Sequence, residues 1–253
     1  MGSSPAYPTN LNNIVMQLPF EETYLLNLVE RPDKYERMRK RIDYMGWDVK
    51  DFRAVKHPVS DLLVNMFNPN DNLIGVFLGN ELNCAREQYT IIKSAYLRGL
   101  ETVAIMEDDI SFYKDMSVWD EHFANLPEDW DILRINTLRG KEEYELFVDS
   151  DVFWKKQKDI GLFGAGFYAM NRNAMKFIID HMDEKYQPID GILAFHINEG
   201  EINTYIPNTP LSLCLEDSFN SDIRGVIGET NEFLDSPHFK YKEIPTFKRE
   251  DYI

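Results

Sequence analysis

Thr102-Val103-Ala104-Ile105-Met106-Glu107-Asp108-Asp109-Ile110 sets four consecutive apolar side chains against three consecutive acids. The run Val103 to Met106 predicts a strand covered on both faces, as in a parallel sheet. Three adjoining carboxylates repel one another, and burial at a strand end would also desolvate them. Such a cluster belongs in open water or under a cation. Hard divalent ions such as Mg²⁺ and Mn²⁺ favour carboxylate oxygens. In open α/β sheets, ligands bind just beyond the carboxyl ends of the strands. Glu107 and Asp109 are two residues apart, so on an extended backbone they point the same way and can share one metal ion, while Asp108 points away. The alternative is a solvated strand-to-helix turn whose acids cap the next helix.

Upstream, Glu22–Val29 predicts a strand. Pro32 near the first helical position, followed by Tyr35, Met38, Ile42 and Met45 at spacings of three and four, predicts a helix that Gly46 stops. Residues 47–55 predict a second strand, which completes a βαβ unit. Residues 56–77 predict a long functional loop, and residues 81–100 a helix ended by Gly99. Downstream, residues 118–126 predict a helix, 130–135 a buried strand and 137–158 a surface excursion. Residues 161–170 are apolar and glycine-rich without the order of a dinucleotide fingerprint. Their glycines predict close approach of the backbone to a ligand or strand. A helix to about His181, a turn at Pro188–Gly191 with a short helix, and short strands at 203–206 and 210–213 follow. Residues 1–20 read as an irregular lead-in and 229–253 as a mobile tail around one domain, 21–228. The fold class is α/β.

The chain has 253 residues, 43% hydrophobic and 13% aromatic, enough for a sizeable core. With 27 basic against 43 acidic side chains the formal net charge is -16, which repels nucleic acid. An anionic nucleotide bound here would need a metal and a local basic contact. Cys84 and Cys214 are the only cysteines. Two thiols make neither a disulfide framework nor a four-cysteine zinc site. No signal peptide or membrane anchor is visible, so a cytoplasmic location is expected.

Other candidate residues carry competing readings. Asp190, in Pro188-Ile189-Asp190, is either a catalytic base or a helix N-cap. Arg31, Lys34 and Arg37 at the first strand–helix junction could meet a diphosphate, although a solvated helix face suits Lys34 better. Ser221 and Asp222 could close the far side of a site, or form an Asx turn. The five histidines share no metal-ligand spacing. Cys84 lies mid-helix on an apolar face and reads as core rather than nucleophile.

Six blocks, taken in order, resemble glycosyltransferase family 25, which includes lipooligosaccharide and collagen galactosyltransferases. They are Tyr24–Leu28 with Arg31, Arg37 and Met38; Gly79–Cys84; Glu107–Ile110; Gly166–Tyr168 through Ala174; Pro188–Asp190; and Ser221–Ile223. The chain departs from the family pattern at Asn83, where a glycine is usual, and at Arg86-Glu87-Gln88, where Ser-His is usual. The resemblance implies a GT-A fold, a mixed, mostly parallel sheet flanked by helices. It also implies an inverting, metal-dependent transfer of a hexose, galactose or glucose, from a UDP-sugar to a saccharide or glycan acceptor. Glu107 and Asp109 would then hold Mn²⁺ or Mg²⁺, and Asp190 would be the base. Leu26, Asn27, Leu28, Ala54 and Val55 would cradle the nucleotide, with Arg31, Arg37, Glu107, Asp108, Ser221 and Asp222 contributing to donor binding. Two other classes remain open: a metal-dependent nucleotidyltransferase, although no glycine- and lysine-rich activation loop is present, and a glycan-binding module on a catalytically diverged GT-A fold.

Overall fold

The computed structural model describes residues 17–55, 63–67, 73–136, 152–157, 166–184, 188–196, 200–213 and 251–253. Strand β1 (Glu22–Leu28), helix α1 (Pro32–Met45) and strand β2 (Lys50–Ala54) form the expected βαβ unit, with β1 and β2 adjacent and parallel. Gly46 ends α1 in the left-handed region at φ +70°, where a Cβ would be strained. The second strand is shorter than residues 47–55, because Trp47 and Val49 turn into the core ahead of it.

The interval 56–77 is not one long loop. It contains strands β3 (Leu63–Phe67) and β4 (Leu73–Leu78), paired antiparallel as a hairpin. Helix α2 (Gly79–Leu97) leads into β5 (Thr102–Glu107), then β6 (Ser111–Phe112), α3 (Met116–Ala124) and β7 (Ile132–Arg134). Asp115 caps α3 by accepting from the Ser117 backbone N–H at 3.0 Å. Strand β8 (Trp154–Lys156) lies inside the stretch expected to be a surface excursion, and Trp154 anchors it with only 5% exposure. Strand β9 (Phe167–Asn171), helix α4 (Arg172–Glu184), helix α5 (Ile189–His196), β10 (Thr204–Pro207) and β11 (Ser212–Leu213) follow.

Seven strands make the main sheet in the order β2-β1-β5-β9-β7-β10-β8. Five run one way, and β9 and β8 run against them. This is the mixed, mostly parallel α/β sheet between helices that the sequence predicts. β5 is central and buried from Val103 to Met106, as its apolar run requires, but only β1 pairs with it in parallel; β9 is antiparallel.

Each face of the sheet has its own core. Ala104 and Met106 join Met38, Ile42 and Met45 of α1. There Trp47 meets Phe112 and Trp119 edge-on, with ring centroids 4.8 Å apart in both pairs. Val103 and Ile105 join Ala85, Ile91, Ile92 and Ala95 of α2 on the other face.

Residues 17–20 of the lead-in carry no helix or strand, yet Leu18 and Phe20 are buried, and Phe20 packs against Phe123 and Trp130. One terminal expectation is corrected. The end of the supposed mobile tail is docked: the Phe112 and Ile253 backbones exchange hydrogen bonds at 3.1 and 3.0 Å, and Tyr252 is buried. Among the described residues, no helix is long and apolar enough to cross a membrane.

Candidate functional site

Because β1, β2 and β5 are parallel neighbours in register, their carboxyl ends share one edge of the sheet: Leu28 stands beside Ala54, and Leu26 beside Glu107. The side-chain alternation of β5 carries on into the acids. Glu107 follows Ile105 onto the α2 face, and Asp108 follows Met106 onto the α1 face.

On the α2 face, the Glu107 carboxylate is partly buried. Gln88 Nε2 donates to its Oε1 at 2.9 Å, and the Cys84 thiol donates to the same oxygen at 3.4 Å. Tyr168, opposite Ile105 on β9, donates its hydroxyl to Gln88 Oε1 at 3.2 Å. Burial pushes the Glu107 carboxyl up to about 8; the charges of Asp109, Asp108 and Asp190 push the same way, and the Cys84 hydrogen bond pulls it back. Burial first, then Glu107, raise the Cys84 thiol well above its ordinary value. A neutral thiol of this kind is a donor to Glu107 and a poor nucleophile.

On the α1 face, Asp108 is held by Asn27 Nδ2, which also donates to the Arg31 carbonyl at 3.2 Å, and by Lys34 Nζ at 3.6 Å. Lys34 is 2% exposed, so its reading as a solvated helix residue is wrong. A buried ammonium needs a counter-charge, and Asp108 supplies it from 74 positions away along the chain. Arg41 adds a second tie, donating from Nη1 to the Ile110 carbonyl at 2.7 Å. α1 therefore grips the acidic turn at Asp108 and again at Ile110.

Asp190 lies in the first turn of α5, which packs on α2 and α4. It accepts from the Gly191 backbone N–H at 2.8 Å. Its charge acts on Glu107, Cys84 and Tyr168. The fold thus brings Asp190 into the electrostatic neighbourhood of the acidic triplet from 81 residues beyond Asp109. Gly166 closes the back of this edge. Its carbonyl accepts from the Glu107 N–H at 2.7 Å, and a Cβ on it would come 2.9 Å from Asn136 Oδ1. The close approach expected of the glycine-rich stretch is here made to a side chain.

The other candidates scatter. Leu26 and Ala54 are buried apolar residues, Leu28 is partly buried, and Val55 is exposed beside them at the strand ends. Arg31 points its guanidinium at Asp33, donating from Nε and Nη2 at 3.0 Å each. Arg37 is partly buried on α1, one turn beyond Lys34. Ser221 and Asp222 lie outside the described residues.

Arg41, Gln88 and Tyr168 have no role in the site as read from the sequence, and Lys34 figures there only as a diphosphate contact or a solvated helix residue, not as the partner of Asp108. Gln88 left one trace: it follows Cys84 by four positions, so a polar residue repeats along the apolar face of α2.

Among the described residues, no group of three or more His, Cys, Asp or Glu side chains is gathered tightly enough to hold a metal ion unaided. Glu107 and Asp109 nevertheless repel each other, and a divalent cation is the charge that relieves such a pair. Were a cation to bind here, Glu107 and Asp109 would supply only part of its ligands, and the rest would have to come from elsewhere, such as the oxygens of a diphosphate.

The fold is thus an α/β domain with a mixed, mostly parallel sheet that gathers acids at the carboxyl edge of its strands. By sequence, the chain is similar to procollagen galactosyltransferases and to a protein named for glycosyltransferase family 25. It is 24% identical over 221 residues to procollagen galactosyltransferase 1-B of Xenopus laevis, covering 79% of this chain and 35% of that protein. It is 24% identical over 209 residues to procollagen galactosyltransferase 1 of Danio rerio, covering 77% and 34%. A human protein named inactive glycosyltransferase 25 family member 3 is 24% identical over 162 residues, covering 57% and 26%. The chain thus spans about a third or less of the length of these curated relatives. No protein-family model matches it. Among solved structures, a glycosyltransferase involved in glycosylation of the PBCV-1 major capsid overlays with a TM-score of 0.41 at 9% identity, covering 77% of this chain and 93% of that one. That overlay is too loose to argue from.

Proposed function

We propose that this chain is a GT-A-type glycosyltransferase that moves a hexose from a UDP-sugar to a hydroxyl of a saccharide or glycan, with inversion at the anomeric carbon. The observation that carries the reading is geometric: the acidic triplet Glu107–Asp109 ends the central strand β5 at the carboxyl edge it shares with β1 and β2, and Asp190, from the first turn of α5, bears electrostatically on Glu107. The names of the relatives point to the same chemistry and, within it, to galactose.

Glu107 and Asp109 would hold Mn²⁺ or Mg²⁺. The ion, when bound, would neutralise charge on the departing nucleotide diphosphate as a Lewis acid. The strand ends at Leu26–Leu28 and Ala54–Val55 would receive the nucleotide, and Arg37 would face its phosphates with Arg31 nearby. Ser221 and Asp222 would close the donor site. Lys34 and Asn27 hold Asp108 and so fix the turn that carries Asp109. Asp190 would accept the proton of the attacking hydroxyl, a step worth about 10²–10⁴-fold in rate.

The test is incubation with a panel of UDP- and GDP-sugars and candidate acceptors, with nucleotide release as the readout. Release from a UDP-hexose that requires both acceptor and divalent metal supports the reading; no release from any donor sinks it. A second reading, a glycan-binding module on a diverged transferase fold, draws on the human relative named inactive. It predicts saccharide binding without nucleotide release.

A further inference from the structure

Gln88 is one of the few polar side chains buried on the α2 face, with 3% exposure. Its amide is committed at both ends. Oε1 takes the Tyr168 hydroxyl proton at 3.2 Å, which turns Nε2 toward Glu107 Oε1 at 2.9 Å; Nε2 also lies 3.5 Å from Cys84 Sγ, one helical turn back. Three elements, α2, β5 and β9, therefore meet in one hydrogen-bonded line. Both donors to the Glu107 side chain, Gln88 and Cys84, reach Oε1, so the line fixes the rotation of the carboxyl group and leaves Oε2 to other contacts. Neither donor is a cation, so the line orients the Glu107 carboxyl group without supplying a counter-charge. Tyr168 is 1% exposed and cannot trade its bond for water. Such outer-shell partners of a ligating carboxylate act through its geometry.

We propose that Gln88, braced by Tyr168, is a positioning residue that sets the orientation of the Glu107 carboxylate for donor binding. This rests on the glycosyltransferase reading. It also gives a physical role to a position inside Arg86-Glu87-Gln88, where the chain leaves the family pattern. Gln88→Met keeps the length and removes the donor.

The experiment measures steady-state transfer with the parent, Gln88→Met, Glu107→Gln and the double variant, varying donor and acceptor separately. For Gln88→Met the expected result is a loss of about 10–100-fold in kcat/KM for the donor, with acceptor KM unchanged. In the Glu107→Gln background the same substitution should cost less than about twofold, because a residue that acts through Glu107 has nothing left to position. Tyr168→Phe removes one hydroxyl and serves if Gln88→Met does not fold; it should lose about threefold, again only when Glu107 is intact. Parental kinetics in Gln88→Met, or an equal loss in both backgrounds, would overturn the proposal. A parent that neither binds UDP nor releases nucleotide from any donor defeats the glycosyltransferase reading itself. That result differs visibly from an active parent with an indifferent Gln88.

Discussion

Lys34 Nζ stands 3.6 Å from Asp108 Oδ1, and only 3% of the lysine and 13% of the aspartate side chain meets water. An ammonium on the first turns of α1 is thereby locked to the acidic turn after β5. Asn27 at the end of β1 holds the same carboxylate, so the βαβ unit and the central strand are joined at the very edge where the acids collect.

Removing Lys34 leaves Asp108 desolvated without its counter-charge. Breaking such a pair from one side costs about 3 kcal/mol, whereas replacing both partners by neutral groups of similar shape costs much less. Lys34→Met should therefore lower the urea midpoint substantially, and Lys34→Met with Asp108→Asn should recover most of the loss. Equal destabilisation by the single and double variants would show that the lysine stem, rather than its charge, matters here.

Asp109 supplies one of the two carboxylates proposed to share a cation. Asp109→Asn keeps the shape and removes the charge. UDP should bind the parent weakly in EDTA and at least about tenfold more tightly with Mn²⁺, because a chain of net charge -16 disfavours an unaided anion. Calorimetry on Asp109→Asn should show that metal-dependent gain gone, with thermal melting unchanged. Undiminished affinity in the folded variant would remove Asp109 from the metal site.

Glu22 lies at the opposite end of β1. The Arg98 guanidinium, with help from Lys50 and Tyr24, holds its carboxyl down at about 2, against an ordinary value of 4.5. A carboxylate depressed in the folded state stabilises it fully above the unfolded value and loses that contribution as pH falls from about 4.5 to about 2. Arg98 and Lys50 are 42% and 51% exposed, so screening limits the effect to about 1 kcal/mol. Glu22→Gln should lower the melting temperature at pH 7 and leave it nearly unchanged at pH 2. A constant difference across that range would mean the ion pairs contribute nothing.

What the sequence disclosed follows from how far each signal reaches. The β1–α1–β2 unit, α2 and the buried β5 were legible because their periods and stops, such as Gly46 and Gly99, are local. The hairpin β3–β4 and strand β8 were not, since their pairing partners decide them and residues 56–77 and 137–158 lack strong alternation of their own. The acids announced themselves by composition. Lys34 and Gln88 did not, because each is buried by a partner, Asp108 or Tyr168 with Glu107, that only the folded sheet brings near. Burial of Tyr252 on Pro210 is of the same kind: 42 residues separate the two in sequence.

Asp190 is where the catalytic and capping readings part most cleanly. It sits in the first turn of α5. It accepts from the Gly191 N–H at 2.8 Å, and its charge reaches Glu107. An asparagine amide oxygen can accept the same backbone hydrogen bond, so Asp190→Asn should change stability by about 1 kcal/mol or less. It cannot take a proton from an acceptor hydroxyl. If Asp190 is the base, the transfer rate should fall by about 10²–10⁴-fold while UDP affinity stays close to that of the parent. That split marks an interaction made in the transition state rather than in the bound complex. Removing the negative charge also relieves Glu107, so any change in UDP affinity with metal present should be an increase. If Asp190 only completes the helix turn, the variant should transfer sugar at the parental rate, and the proton acceptor must then be sought among other acids.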